Sequence, residues 1–545
     1  MHLSNRSSLV LTAVLMLAVP VSILSEGSTF ATPIEVNALV ASPTPTPVAT
    51  ATATQAASPV QTLENLQSQI RQRLFSPAVR RGRVGVKIVS LNSGKVMFEQ
   101  DSEKYFMPAS NMKNFTVATA LERLTPEFRF VTSVYAPAAP DSSGVVKSLR
   151  IFGRGDVSIS PAFFPLDNSD RDPMTGETDA NKVYYKALDR LVEKIIAAGV
   201  KRIEGSIVGD ESYFTGNAIP ATWEWDDLQW YYGAEISALQ VNDGAVALSV
   251  LPGPSEYACS VTINPGNTLI QVINLCTTSG STRNIKVNKR LDRNVIEITG
   301  TMPVGDTGFR GNVTFSRPAD LFVALLKQRL EAKGVIVAGG TRLQLAKVTA
   351  DANQVEIAKL ESPPLSEIAG RTMKPSQNMY TETLLWTLGE QVGRKNGQVG
   401  DSAQLGIGVV KDFLKQIGVP EDGIVPNDGS GLSRHNLITP AAVTTLYTYM
   451  ARQSKFSQAW RDSLTIGGVD GTLANRFKGT AAAGNIRGKT GTIGQVSALS
   501  GYISTAAGEQ LVFSILVNGV PETRVRTSLI DDIVISLANF NGKID

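Results

Sequence analysis

The sequence predicts an α+β protein: one antiparallel sheet with flanking helices, drawn from both ends of the chain and interrupted by a large insertion. Three observations predict this. Near the start, Val84, Val86 and Ile88 alternate with Gly85, Lys87 and Val89. Asn92-Ser93-Gly94 then turns the chain into Lys95–Glu99, a β-hairpin. Near the end, Ser497–Ser504 and Gln510–Asn518 read as strands joined at Ala507-Gly508. Between these ends, residues 245–312 hold short strand-like runs broken by Gly, Pro and Asn.

Taken in order, the chain opens on an address. His2 and Arg6 precede the apolar run Leu9–Leu24, which Pro20 interrupts, and Thr29-Phe30-Ala31 offers small residues at the cleavage positions. This reads as a secretory signal peptide over residues 1–31; an uncleaved anchor is the alternative. No Cys lies near the cut, so lipid attachment there is not expected. Ala41–Val60 is nearly all Ala, Thr, Pro, Ser and Val, so residues 32–62 read as an extended spacer. The mature chain is expected in the periplasm or cell envelope, without a transmembrane segment.

Folded structure is expected from Leu63, where Leu63, Leu66, Ile70 and Leu74 recur at helical spacing. Met107-Pro108-Ala109 leads into a helix over about Ser110–Leu124, with Val117, Leu121 and Leu124 on one face. Further helices are expected at Tyr184–Ala198, Pro318–Lys333 and Glu382–Val392. Strands are expected at Val246–Val250, Val261–Ile263, Leu269–Ile273, Ile285–Val287 and Val295–Ile298. Pro521 opens a last helix with Val525, Leu529, Ile533 and Leu537 as its stripe.

Composition bounds the function. The chain has 545 residues, 42% hydrophobic and 19% charged, and a net charge of +3. That balance is globular, and no run of like charges supports nucleic-acid binding. With two His and two Cys, no metal site and no cofactor are expected. Cys259 and Cys276 lie 17 positions apart, and export permits a disulfide between them; two buried thiols are the alternative.

Three short motifs carry chemistry. Ser110-Asn111-Met112-Lys113 places a hydroxyl and an amine one helical turn apart, so a desolvated Lys could take the Ser proton. A Ser cap followed by a solvated Lys would write the same four letters. Ser376-Gln377-Asn378 follows Lys374-Pro375 in a loop, where the Ser could relay a proton and the Asn orient an amide; again a helix cap is the alternative. Lys489-Thr490-Gly491-Thr492 precedes the Ser497 strand: its cation and hydroxyls could grip a carboxylate, and Gly491 permits close approach. An edge strand guarded by a Lys is the other reading. His435 lacks a marked Asp partner, and Gly429-Ser430-Gly431 lacks nucleophile-elbow spacing, so a Ser-His-Asp triad is not supported.

In this order and context the motifs resemble the signature of penicillin-recognising serine enzymes. Lys113 and Ser376 are 263 positions apart, an interval that resembles the class C low-molecular-mass penicillin-binding proteins, the D-Ala-D-Ala carboxypeptidase/endopeptidase family. Gly153-Arg154-Gly155-Asp156, with Val157 where Pro is usual, is similar to that family's Gly-Asp segment. Asp428–Arg434 and Gly468–Leu473 match two more of its motifs. The resemblance spans about residues 63–540. It implies a split serine β-lactamase/transpeptidase-like catalytic domain at 63–130 and 360–545. A second domain is implied at 131–244 and 313–359, with a nested β-rich third domain at 245–312. It also implies an acyl-enzyme on Ser110, with Lys113, Ser376, Asn378 and Lys489 catalytic and Thr490, Gly491 and Thr492 binding substrate or oxyanion. The expected partners are peptidoglycan stem peptides and β-lactams. The rival readings are a serine β-lactamase and a non-catalytic β-lactam- or peptidoglycan-binding module. Arg434 is expected to support its loop, substrate contact being the alternative, and the aromatic stretch Trp223–Tyr232 to pack in a core, a peptide- or glycan-facing groove being the alternative.

Overall fold

A computed structural model describes residues 60–167, 170–171, 181–347 and 354–544. The signal-peptide expectation and nearly all of the spacer expectation fall outside them. Thr62 accepts a hydrogen bond from the Asn65 N–H and so caps the first helix, Leu63–Leu74.

The two ends of the chain do share one sheet. Its six strands run in the order Thr465–Ile466, Arg487–Ile493, Val496–Ser504, Gln510–Asn518, Arg83–Ser90 and Val96–Gln100, all antiparallel. The seam between the ends pairs Arg83 with Asn518 and Ser90 with Leu511. Gln510–Asn518 shows why this strand lies at the centre. Leu511, Phe513, Ile515 and Val517 face the core shared with the helices Leu63–Leu74 and Thr523–Asn539. Val512 and Leu516 face a second core built from the helices of the other layer. A period of two between two apolar layers makes a strand hydrophobic throughout.

That second layer holds the helices Lys113–Leu124, Leu365–Met373, Asn378–Leu388, Ser402–Gln416 and Pro440–Arg452. The one-sided stripe expected on the first of these is not what the structure has. Every residue from Lys113 to Leu121 is buried, polar ones included, and Leu124 is only partly so. The helix is enclosed by its neighbours, so its polar residues must find partners inside the protein. Asn378–Leu388 is likewise buried at every position. It begins four residues before the expected start.

The intervening chain forms a five-stranded sheet ordered Thr341–Gln344, Ile207–Asp210, Leu149–Phe152, Val131–Ala136, Val355–Glu361. The helices Lys182–Ala197 and Pro318–Ala332 contribute to its apolar core. Two three-stranded sheets follow: Phe309–Thr314, Ala245–Leu251 and Ser260–Asn264, then Gln271–Thr278, Val295–Met302 and Asn284–Lys289. They enclose a small core of Leu248, Val250, Ile296 and Ile298. Phe309–Thr314 had no expected strand, and its Gly311 and Asn312 dilute the pattern there. A disulfide joins Cys259 to Cys276 inside this core, which removes the two-thiol alternative. Among the described residues, no helix is long and apolar enough to cross a membrane.

Candidate active site

A single tight turn, Ala109–Met112, opens the buried helix and carries Ser110. No side-chain cap bond forms there, so Ser110 is not a helix cap. Lys113 is fully buried rather than solvated. Its Nζ lies 3.0 Å from Ser110 Oγ, 2.5 Å from Asn378 Oδ1 and 2.7 Å from the Ser430 carbonyl oxygen. Burial lowers the Lys113 pKa to about 7, against the opposing pull of the Asp428 and Glu382 charges. Desolvation therefore brings this amine into the range of a general base.

Ser376 sits in the left-handed region at φ 65°, a conformation that costs a non-glycine residue energy. It does not cap the next helix, whose cap position is Gln377 without a side-chain bond. Instead Ser376 Oγ accepts from Lys489 Nζ at 2.8 Å. Asn378 Nδ2 donates to the Tyr232 carbonyl at 2.9 Å, which leaves Oδ1 directed at Lys113. Lys489 is also fully buried, and its pKa lies well below the ordinary value, through desolvation first and the Lys113 charge second. Each motif lysine is thus within hydrogen-bond reach of one motif serine.

Lys489 lies on Arg487–Ile493 and is fully buried, so it is not a solvated guard on an edge strand. Gly491 passes against the nucleophile turn. A Cβ there would stand 2.6 Å from the Pro108 oxygen and 3.1 Å from the Ser110 nitrogen. Asn111 Nδ2 donates to the Lys489 carbonyl at 3.0 Å and ties the turn to the strand. Thr490 Oγ1 donates to Thr472 Oγ1 at 2.7 Å, and Thr492 is exposed. All eight expected site residues therefore lie on three segments that these contacts draw together.

A family model described as "D-Ala-D-Ala carboxypeptidase 3 (S13) family" matches residues 66–540. The chain belongs to the S13 family. The D-alanyl-D-alanine carboxypeptidase of Actinomadura sp. (strain R39) is 33% identical over 494 residues, covering 88% of this chain and 86% of that protein. The D-alanyl-D-alanine carboxypeptidase DacB of Haemophilus influenzae is 24% identical, over 80% and 85% of the two chains. The crystal structure of penicillin-binding protein 4 (dacB) from H. influenzae shares the fold, with a TM-score of 0.71 at 22% identity. That match covers 88% of this chain and 100% of the other.

The S13 chain uses more residues at this site than its three motifs name. Glu382, one turn beyond Asn378, is a buried carboxylate that accepts from the Gly429 N–H at 3.0 Å and the Ser430 N–H at 2.7 Å. It thereby holds the N–H side of Ser430, whose carbonyl faces Lys113, while the N–H of that carbonyl's own peptide, Gly431, is held by Asp428. Burial pushes the Glu382 carboxyl up to about 8, the Asp428 charge adds to this, and the N–H donors oppose it. Asp428 accepts from the N–H groups of Gly431 and Ser433, from Asn436 Nδ2 and from Trp223 Nε1, at 2.7–2.9 Å. The Asp428–Arg434 match was legible in sequence; its service to Lys113 was not. For Glu382 the available signal was the one charged residue in the Asn378–Leu388 helix.

The aromatic stretch divides. Trp223 is buried and bonded to Asp428, whereas Trp225 is 74% exposed, so core packing describes only part of it. Arg434 supports its loop as expected, with Nη1 at 2.9 Å from Glu224 and 3.4 Å from Asp227. The carboxylates of Glu224, Asp226 and Asp227 lie close enough to share a cation. The Arg434 guanidinium supplies positive charge to two of them.

Proposed function

We propose that this chain is a serine D-Ala-D-Ala carboxypeptidase that cleaves peptidoglycan stem peptides, and cross-links made from them, through an acyl-enzyme on Ser110. The observation that carries this reading is the Ser110–Lys113 pair, a hydroxyl 3.0 Å from a fully buried amine with a pKa near 7. Ser110 Oγ attacks the penultimate D-Ala carbonyl while Lys113 takes its proton. The N–H groups of Ser110 and Thr492 receive the oxyanion. The Lys489–Ser376 pair passes a proton to the departing D-Ala amine. Lys489, Thr490 and Thr492 hold the terminal carboxylate, and Asn378 orients Lys113 and the substrate amide. Water then releases the shortened peptide and restores Ser110. Glu382 and Asp428 are occupied by backbone N–H donors, so neither is free to activate that water quickly. This favours a peptidase that traps penicillin over a β-lactamase that destroys it.

The domain reading belongs with this proposal: a catalytic domain at 63–130 and 360–545, a second domain at 131–244 and 313–359, and a third at 245–312. So does export to the periplasm or cell envelope, where the substrate is found and a disulfide persists. The test is D-alanine release from a diacylated L-Lys-D-Ala-D-Ala peptide. The wild-type chain should release it and Ser110→Ala should not. Release that survives the substitution would overturn the assignment.

A further inference from the structure

A cavity of about 350 Å³ lies away from Ser110, where the polypeptide leaves the nucleophile helix. Phe128 and Phe130 in its wall follow that helix, and Gln391 follows the Asn378–Leu388 helix. Twelve helical residues separate the two ends, about 18 Å at the usual rise per residue. Both motif-bearing helices thus have the active site at their N-terminal ends and this cavity beyond their C-terminal ends. Its volume suits a small organic ligand.

Arg154 gives the cavity its chemistry. The flanking glycines fix this residue: a Cβ on Gly153 would stand 2.2 Å from the Ala238 oxygen, and Gly155 has φ +86°. Arg154 Nη1 donates to the Val131 carbonyl and to Ser133 Oγ, both at 2.9 Å, and the guanidinium stacks over Phe152 at 4.5 Å. No carboxylate pairs with Arg154 among the described residues. Tyr213 lines the same wall, and its oxygen accepts from Gln391 Nε2, leaving the O–H free to donate. Phe128 and Tyr135 supply apolar surface. At the rim, Lys359 is paired with Glu361 and Glu356 is exposed, while Arg129 Nη1 donates to the Ser362 carbonyl. Arg154 and Arg129 thus both bring a guanidinium to the lining with no carboxylate partner among the described residues, against the single carboxylate of Glu356, and Arg154 is the one immobilised between two glycines. A planar fork held in place by other bonds loses little entropy on meeting a carboxylate.

We propose that this cavity is a second ligand site, separate from the active site, for a small carboxylate with an apolar or aromatic body. The carboxylate accepts from the Arg154 guanidinium and the Tyr213 hydroxyl, and the body lies on Phe128 and Tyr135. A peptide C-terminus and a simple organic acid share this chemistry.

The test begins with protein whose active site is filled by benzylpenicillin. N-acetylphenylalanine, phenylacetate and their primary amides are titrated calorimetrically, so the two acids distinguish a peptide terminus from a plain organic acid. At least one acid should bind tenfold or more tighter than its amide. Arg154→Gln should erase that difference while Ser110 acylation stays within threefold of wild type. Equal binding of acid and amide, a difference that survives Arg154→Gln, or binding that disappears on acylation would each overturn the proposal. Should Arg154→Gln fail to fold, Tyr213→Phe keeps the ring and removes only the donor. It should weaken the acid at least threefold, and unchanged affinity would count against the site.

Discussion

Lys113 and Glu382 are both ionisable, both fully enclosed, and joined through the backbone of one residue, Ser430. Removing a charge from water costs energy unless bonds replace the water, and here backbone donors and acceptors do so. A lysine pushed down to about 7 is mostly ammonium below that pH and mostly free amine above it. Acylation that needs the amine should therefore rise through pH 7 and level off above about 8. The Glu382 charge would hold Lys113 up only where that carboxyl is ionised, and burial pushes it up to about 8, so near pH 7 it is mostly neutral and Glu382→Gln should leave this acid limb close to its wild-type position. The amide also replaces an acceptor of two backbone N–H groups with a weaker one, which should destabilise the fold by about 1–3 kcal/mol. Stopped-flow acylation across pH, with thermal melts of both proteins, checks the two effects. A limb displaced to lower pH by a full unit would show instead that Glu382 is ionised beside Lys113.

At the scale of elements, the site is a junction between a strand and a helical turn, and Gly491 is where they touch. Gly491→Ala should keep the strand, because the backbone there is not left-handed, but its methyl cannot fit 2.6 Å from the Pro108 oxygen. The turn must shift, and a loss of about 100-fold in acylation is expected from a misplaced oxyanion donor, with little change in circular dichroism. Near-normal acylation would mean that the two elements have slack. The same elements show what a sequence can carry. Strand alternation and the turns at Asn92-Ser93-Gly94 and Ala507-Gly508 placed the hairpins, because those signals are local. The burial of Lys113 and of the whole Asn378–Leu388 helix was not legible, because it depends on neighbours hundreds of residues away. Ser376 could be placed in a loop, but its left-handed backbone and its contact with Lys489 follow from tertiary packing.

Across the whole molecule, the intervening chain reaches the catalytic residues at several points. Asn378 Nδ2 donates to the Tyr232 carbonyl, Trp223 Nε1 to Asp428, and the Tyr380 hydroxyl to Asp243 at 2.6 Å. The two three-stranded sheets that hold the disulfide lie outside this set of contacts. Replacing Cys259 and Cys276 together by Ala opens a loop of 17 residues and should cost roughly 3 kcal/mol, by the chain-entropy estimate. The loss should appear as a lower melting temperature, with acylation of Ser110 unchanged. A parallel fall in acylation at a temperature where the protein stays folded would show that these sheets brace the site after all.

The central claim is that Ser110 is the nucleophile and Lys113 the group that activates it. Mass spectrometry of the protein after incubation with benzylpenicillin tests this most directly, beside Ser110→Ala and Lys113→Ala. One stable adduct per chain, mapped to the peptide holding Ser110, absent from Ser110→Ala and formed at least 1,000-fold more slowly by Lys113→Ala, is the predicted result, the magnitude being of the order expected when a triad-like group is removed. An adduct on another residue, or one formed at the wild-type rate without Lys113, would contradict it.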